Sequence, residues 1–394
     1  MFDVKPADRL AALPPYLFAE IDRKKERRRA KGLEIIDLGV GDPDLPTPAP
    51  ILDRLAEAAA DSRLHRYPPS AGLTAFREAV AAWYLRRYGV TLDPETEVTN
   101  LIGSKEGIGH VPLALVNPGE EVWIPDPGYP VYLSGTIFAG GAPRFMPLRH
   151  DLGFLPDLEA LEPNGFDRAR LIYVNYPNNP TGAVAPRSFY ERLIQLARRH
   201  RVLVVADAAY AELADSPQPS ILEIDGAREV AIEIGSFSKT FNMTGWRVGW
   251  AVGNAAAIRA LVSLKSNLDS GCFGAVQMAA IRGFDLIDEH LPGLKRTYAE
   301  RRQVAVAGLR ELGLEVFPPG GTFYVWARVP GDLRSVEFCA RVLDSSGVVT
   351  TPGVGFGRNG EGYFRLALCS EVAAVKKAMA LLAEAGLWAA RSGS

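Results

Sequence analysis

The chain has 394 residues, 47% of them hydrophobic and 23% charged, with a formal net charge of -2. That length exceeds one comfortable compact unit, so two domains are expected, each with a core of its own. The balanced charge lacks the basic excess that nucleic acid or an anionic membrane would require, which leaves small-molecule chemistry as the default.

From the N-terminus, Leu17, Phe18 and Ile21 sit at helical spacing ahead of Asp22-Arg23-Lys24-Lys25-Glu26-Arg27-Arg28-Arg29. Acidic residues interleave the bases, which predicts a solvated amphipathic helix over 18–30 rather than a nucleic-acid-binding segment. A strand over 34–38 runs into a glycine turn at Gly39 to Gly41. Pro43, Pro46, Pro48 and Pro50 then predict an extended crossing between domains, because proline fixes φ and removes ladder donors. Beyond it, β-branched runs at 97–100, 121–124, 171–174, 202–206, 230–234 and 248–252 alternate with helical patterns such as 186–200. Continuous apolar runs of this kind predict a mostly parallel sheet covered on both faces. After Gly283 the pattern becomes a long helix through Leu312, strands around 323–326 and 364–366, and a closing helix from Glu371. The predicted division is a large domain over 46–282 and a small α+β domain formed by 1–45 plus 283–394. The tail, 391–394, is expected to fray.

Cys272, Cys339 and Cys369 are widely separated and odd in number, which predicts reduced thiols rather than a disulfide framework. The five histidines show no His-x-x-x-His spacing and no pairing with cysteine, so no metal site is predicted. No apolar stretch reaches membrane-spanning length, and the N-terminus lacks a basic region followed by an apolar run and a small-residue cleavage site. A cytoplasmic protein is the expectation.

The most informative string occupies 236–250. It sets Lys239 between the hydroxyls of Ser238 and Thr240, with Ser236 upstream and Arg247 eight positions later. A desolvated lysine crowded by cations can be neutral at working pH and bond covalently to an aldehyde such as that of pyridoxal 5'-phosphate. The hydroxyls and the planar guanidinium suit that cofactor's phosphate. For the short motif alone, a surface lysine in a Ser/Thr-rich loop is the plainer reading. Asp207 ends the run 202–206, at the strand end where open α/β sheets build sites, and a carboxylate there suits a protonated ring nitrogen. A helix-capping aspartate would look the same. The segment Gly103-Ser104-Lys105-Glu106-Gly107 leads from a strand into a helix, whose unpaired N–H groups and dipole suit an anion. Ser104 and Lys105 are therefore phosphate candidates, beside the reading of a simple N-cap. Asn179 stands in an Asn-Pro-Thr-Gly turn and Tyr129 in a proline-packed loop. Arg365 lies in a strand of alternating character, where an edge arginine facing solvent is the plain alternative.

The strings Leu38-Gly39-Val40-Gly41-Asp42-Pro43-Asp44, Arg66-Tyr67-Pro68, 103–107, Asp126-Pro127-Gly128-Tyr129-Pro130, 175–182, Asp207-Ala208-Ala209-Tyr210, 236–250 and Phe364-Arg365-Leu366 span nearly the whole chain. In that order they resemble the motifs of the fold-type I, class I/II aminotransferases. The resemblance implies an α/β fold with a mostly parallel seven-stranded sheet in a large domain and a smaller α+β domain. It implies pyridoxal 5'-phosphate carried by Lys239, which also shuttles the proton. Phosphate contacts would come from Ser104, Lys105, Ser236, Ser238 and Arg247, and from Tyr67 across a homodimer interface. Tyr129 would stack on the ring, Asp207 would meet its nitrogen, and Tyr210 and Asn179 would donate to its phenolic oxygen. Arg365 would clamp the substrate α-carboxylate beside the Gly41 backbone, with Lys105, Tyr129 and Asn179 also meeting substrate. The implied reaction is ping-pong exchange between an amino acid and a 2-oxo acid, with monomers inactive.

Less general strings, among them Pro15-Tyr16-Leu17-Phe18 and 265–273, are similar to those of the LL-diaminopimelate aminotransferases and their relatives. In that subgroup the residues matching Tyr16, Asn267 and Ser270 approach the distal end of the substrate from the partner subunit. Plant-type members carry an acidic residue where Ser70 stands here, so the counter-charge for a distal ammonium must come from elsewhere or be absent. Lys265 would instead favour a dicarboxylate. A broad alanine, aspartate, valine or aromatic aminotransferase using 2-oxoglutarate is the alternative. A carbon-sulfur lyase or a non-enzymatic ligand sensor stands behind it, the sensor disfavoured by the intact lysine constellation and by the lack of a preceding helix-turn-helix.

Overall fold

In chain order the strands are β1 (Ile36–Asp37), β2 (Val98–Leu101), β3 (Glu121–Asp126), β4 (Ala142–Pro147), β5 (Ala169–Asn175), β6 (Leu203–Asp207), β7 (Ala231–Ser236), β8 (Gly249–Gly253), β9 (Val316–Phe317), β10 (Tyr324–Arg328), β11 (Val348–Val349), β12 (Thr351–Pro352) and β13 (Tyr363–Ala367). They come from a computed structural model that describes residues 4–13, 17–161, 166, 168–317 and 319–386, the side chains of 17–20 excepted. Seven strands form one sheet in the order β2-β8-β7-β6-β5-β3-β4. Within it β8 alone runs against the rest. This is the mostly parallel sheet expected.

Successive side chains on these strands enter different cores, as a strand's two-residue period requires. Ile172, Val174, Val204 and Ala206 pack on one face with Trp83, Phe237 and Phe284. Leu171, Tyr173, Val205 and Ile232 pack on the other with Ile108, Tyr132 and Leu261. Burial on both faces explains why the strands read as unbroken apolar runs. β4 (Ala142–Pro147) escaped the sequence reading because its Pro143, Arg144 and Pro147 break the apolar pattern. It is an edge strand, where proline removes no needed donor and charge blunts further pairing.

A third core joins Val325, Phe338, Phe364, Leu366, Val375 and Leu382 with Leu38, Leu294 and Tyr298. Its four-stranded sheet has the order β12-β13-β10-β9, and β1 pairs in parallel with β11. The N-terminal segment therefore joins the C-terminal elements. One helix, Gly274–Glu311, supplies Ala279, Phe284 and Ile287 to the first core and Leu294, Tyr298 and Ala305 to the third. It begins nine residues before Gly283, where the sequence pattern first becomes clearly helical.

The proline-rich crossing is shorter than expected. It ends at Pro48, and Pro50 lies in the first turn of the helix Ala49–Ala59. Proline fits there because first-turn N–H groups have no intrahelical partner. Among the described residues, no helix is long and apolar enough to cross a membrane. Tyr16 and the tail 391–394 lie outside the described residues.

Candidate active site

Strand ends converge at one edge of the large sheet. Leu101 of β2 and Ser236 of β7 both face Gly249 of β8, while Asn175 of β5 faces Asp207 of β6 and Asp207 faces Ile234 of β7. The candidates of 103–105, 179, 207–210 and 236–247 all follow or precede these positions by a few residues, so the sheet brings them together. Carboxyl ends of parallel strands are where such sheets bind ligands.

Lys239 lies on the one-turn helix Phe237–Thr240, capped by Ser236, whose Oγ accepts from Ser238 N at 3.2 Å. Its Nζ donates to Gly41 O at 3.1 Å and sits 5.7 Å from the Phe323 ring centroid. Burial pushes this amine below the usual lysine range, against the pull of Asp42. That favours the neutral, nucleophilic form. Gly41 has to be glycine, since a Cβ there would lie 2.1 Å from the Tyr324 hydroxyl. Asp44, three residues on, is gripped by buried Arg301 at 2.6 and 2.8 Å, and Arg301 also donates to Leu368 O at 3.0 Å. The glycine strap is thereby fixed to the long helix.

Asp207 is buried, with Oδ2 accepting from Tyr132 OH at 2.8 Å and Oδ1 from Ala209 N at 3.2 Å. Burial pushes its carboxyl up to about 6, partly opposed by those two bonds. Among the described residues it has no ion-pair partner, so the site presents a buried carboxylate that lacks a cation. Tyr210, at the end of the same turn, shares a hydrogen bond of 3.0 Å with Tyr324 OH. Tyr129 packs edge-on against Tyr132, with ring centroids 5.9 Å apart.

Arg365 is buried, because β13 lies between β12 and β10 and is not an edge. Nη1 donates to Asn179 Oδ1 and Nη2 to Gly39 O, both at 2.8 Å. Arginine only donates, so it turns Asn179 Oδ1 toward itself and the amide nitrogen away. The guanidinium is stacked between Tyr324 and Phe356, at 4.1 and 4.6 Å. Its faces are covered and Nε has no partner. An edge with unused donors in a desolvated slot suits a carboxylate.

Gly103 caps the helix Ser104–Leu115 with no side-chain hydrogen bond, at φ 77°. A Cβ on Gly103 would lie 2.3 Å from Arg247 Nη2, so the guanidinium rests against the helix N-terminus. Ser104 N lies 3.1 Å from where a Gly249 Cβ would stand, and Ser236 pairs with that same glycine. Helix N–H groups, Arg247 and Ser236 thus border one small volume suited to a phosphate. Ser238 is buried beside it and Lys105 is exposed.

Tyr67, Asn267 and Ser270 stand apart and make no bond to Lys239, Asp207 or Arg365. Tyr67 is 89% exposed, Asn267 turns back onto Ser263 O at 2.8 Å, and Ser270 has φ 57°. The loop after Tyr67 touches the turn after Ser270, since a Cβ on Gly271 would lie 3.2 Å from Pro68 Cγ.

Lys265 has no free charge to offer a substrate. It is fully buried between Glu106 and Asp269, at 3.1 and 3.0 Å. Glu106, His110 and Asp269 have the spacing of a metal cluster, but the ammonium sits on two of its carboxylates. His110 Nδ1 lies 2.6 Å from Glu106 Oε1 without hydrogen-bond alignment. Lys265→Met should lower stability by about 3 kcal/mol, because two carboxylates lose their cation in a low dielectric. Chemical denaturation of the variant and the wild type measures the loss.

Tyr132, Tyr324 and Asn175 are further site residues that the sequence did not single out. Asn175 donates to Asp207 O and accepts from Asn179 N, both at 2.8 Å, which links the two turns. Only its position at the head of the Asn-rich string gave a signal.

The sequence matches the family profile described as aminotransferase class I and II over residues 34–382. The chain belongs to the class I and II aminotransferases. It is 50% identical over 364 residues to an LL-diaminopimelate aminotransferase of Aquifex aeolicus, covering 92% of this chain and 94% of that one. A relative of the same name from Nitratidesulfovibrio vulgaris is 50% identical over 388 residues, covering 97% and 100%. Among solved structures, apo-BacF from Bacillus subtilis superposes with a TM-score of 0.94 at 39% identity, covering 98% and 99%. Aminotransferases of this family are generally dependent on pyridoxal phosphate. The uncompensated Asp207 carboxylate, the depressed Lys239 amine and the helix N-terminus beside Arg247 fit a ring cation, an aldehyde and a phosphate respectively.

Proposed function

We propose that this aminotransferase uses pyridoxal 5'-phosphate to exchange an amino group between LL-diaminopimelate and 2-oxoglutarate. The observation that carries the substrate is half-identity, over almost the entire length, to relatives bearing the name LL-diaminopimelate aminotransferase. When bound, the cofactor supplies an electron sink for the pair left behind when the α-proton departs. The neutral Nζ of Lys239 takes that proton and returns it. Asp207 keeps the ring nitrogen protonated, with Tyr132 and the Ala209 amide holding its carboxylate in place. Arg365 receives the α-carboxylate on its uncovered edge, and Asn179 turns its amide nitrogen toward the phenolic oxygen, to which Tyr210 also donates. Tyr129 would lie against the ring, and Ser104, Lys105, Ser236, Ser238 and Arg247 would hold the phosphate.

The active form is a cytoplasmic homodimer with a large domain over 46–282 and a small domain of 1–45 plus 283–394. Tyr67, nine-tenths exposed in the single chain, then completes the partner's phosphate site. The distal end of the partner's substrate is assigned to Asn267 and Ser270, and to Tyr16 on the resemblance alone.

A broad aminotransferase is the second reading, and Ser70 is what favours it, since no acidic residue stands there for a distal ammonium. The dicarboxylate version loses support because Lys265 is neutralised internally. Steady-state assays of the purified protein with 2-oxoglutarate decide between them. LL-diaminopimelate should be the preferred donor, with lysine and ornithine discriminated against by about 10,000-fold, as expected when buried polar groups lose a partner. Turnover on alanine, aspartate or valine with none on LL-diaminopimelate would replace this reading with the broad one.

A further inference from the structure

We infer that Asp126 and Asn359 form a latch that holds Phe356 over Arg365 and so sets the affinity for the substrate carboxylate. The inference rests on the assignment of Arg365 as that receptor. Asp126 ends β3 in the large sheet, 2% exposed, just before the turn that carries Tyr129. Asn359 belongs to the turn Arg358–Gly360, far along the chain and next to β13.

The two segments meet through three hydrogen bonds. Asn359 N donates to Asp126 Oδ1 at 3.1 Å, Asn359 Nδ2 donates to Asp126 Oδ2 at 2.8 Å, and Gly128 N donates to Phe356 O at 2.8 Å. The approach is close enough that a Cβ on Gly357, whose φ is 129°, would lie 2.0 Å from Asp126 Oδ1. Asp126 lacks an ion-pair partner among the described residues, so the two Asn359 donors, together with the Arg358 backbone N–H and the nearby Arg358 charge, are what satisfies a buried carboxylate. Phe356 sits between the Gly128 bond and the Asn359 pair, and its ring covers one face of the Arg365 guanidinium at 4.6 Å. Tyr324, on β10, covers the other face.

If the turn lifts, Phe356 leaves and water reaches Arg365, which weakens its charge-assisted bonds to a carboxylate. Asp126 and Asn359 make no hydrogen bond to Lys239, Asp207 or Arg365. They act through Phe356 and are positioning residues.

Asn359→Asp sets two carboxylates against each other at an exposed position that tolerates the change, and Asn359→Ala simply removes the amide. Both should raise KM for the amino donor about tenfold, leave kcat within about twofold, and leave the affinity for pyridoxal 5'-phosphate unchanged. The exchanged pair, Asp126→Asn with Asn359→Asp, restores donor and acceptor and should bring KM back. Amide hydrogen exchange of the peptide over 126–132, measured on the holoenzyme, should speed up in Asn359→Asp and recover in the exchanged pair. Unchanged exchange or unchanged KM in Asn359→Asp would overturn the latch, as would an exchanged pair no better than the single variant. A wild type inert toward every donor would overturn the aminotransferase assignment instead, while the exchange measurement would still decide whether the latch exists.

Discussion

Lys239→Ala should give a folded chain whose amino transfer is slower by about 10,000-fold, the upper range for a well-placed proton-transfer group. Folding should survive because Ser236, not Lys239, caps the one-turn helix that carries the residue. The structural loss is one hydrogen bond to Gly41 O and a contact over Phe323, a cost of about 1 to 2 kcal/mol. The catalytic loss is far larger because no other described amine bonds to the strap at Gly41, so nothing takes over the proton. Single-turnover kinetics with a saturating donor measure the chemical step. Borohydride reduction of the cofactor-loaded wild type, followed by peptide mapping, locates the attachment point. A label on any lysine but Lys239 would sink the assignment.

What the chain disclosed in advance follows the range of the interactions. The large sheet was legible because strands buried on both faces are apolar along their central stretch, as over 171–174 in β5 and 203–206 in β6. β4 was not, since an edge strand relaxes that requirement and tolerates Pro143 and Pro147. Asp207 was legible as a strand-end carboxylate, yet its state is set by burial and opposed by a bond from Tyr132, 75 positions away, whose hydroxyl no local pattern flags. Arg365 reads as an edge residue from the sequence alone, whereas β12 pairs beyond it. Lys265 illustrates the opposite error. On a helix next to polar residues it looks available, whereas Glu106 from another helix consumes its charge. The two-residue strand β11 carries no periodicity and exists through its pairing with β1, which lies within the strand expected over 34–38.

Asp207→Asn should separate stability from function, because the wild-type residue is a cost to the fold in the absence of its cation. Burial raises the folded carboxyl to about 6, from an ordinary value of 3.8. Between those values the folded state holds a proton that the unfolded state has released, so stability falls as pH rises through the window. Below it both states are protonated and the penalty vanishes. Above it the ionised carboxylate costs about 3 kcal/mol, two pKa units at roughly 1.4 kcal/mol each. Asparagine keeps the acceptor for Ala209 N and turns its amide to the Tyr132 hydroxyl, which can accept as well as donate. The cofactor-free variant should therefore be more stable than the wild type by up to about 3 kcal/mol near neutral pH and should lose the slope between about pH 4 and 6. With cofactor added, the order reverses, since the wild-type carboxylate gains a ring cation that asparagine cannot hold. The rate should drop by about 100- to 1,000-fold, the usual effect of removing one preorganised electrostatic partner from a dry site. Denaturation curves with and without pyridoxal 5'-phosphate across this pH range, together with kcat, measure all three effects. A cofactor-free variant less stable than the wild type near neutral pH, with its rate retained, would show that Asp207 serves the fold and that the ring nitrogen has another partner.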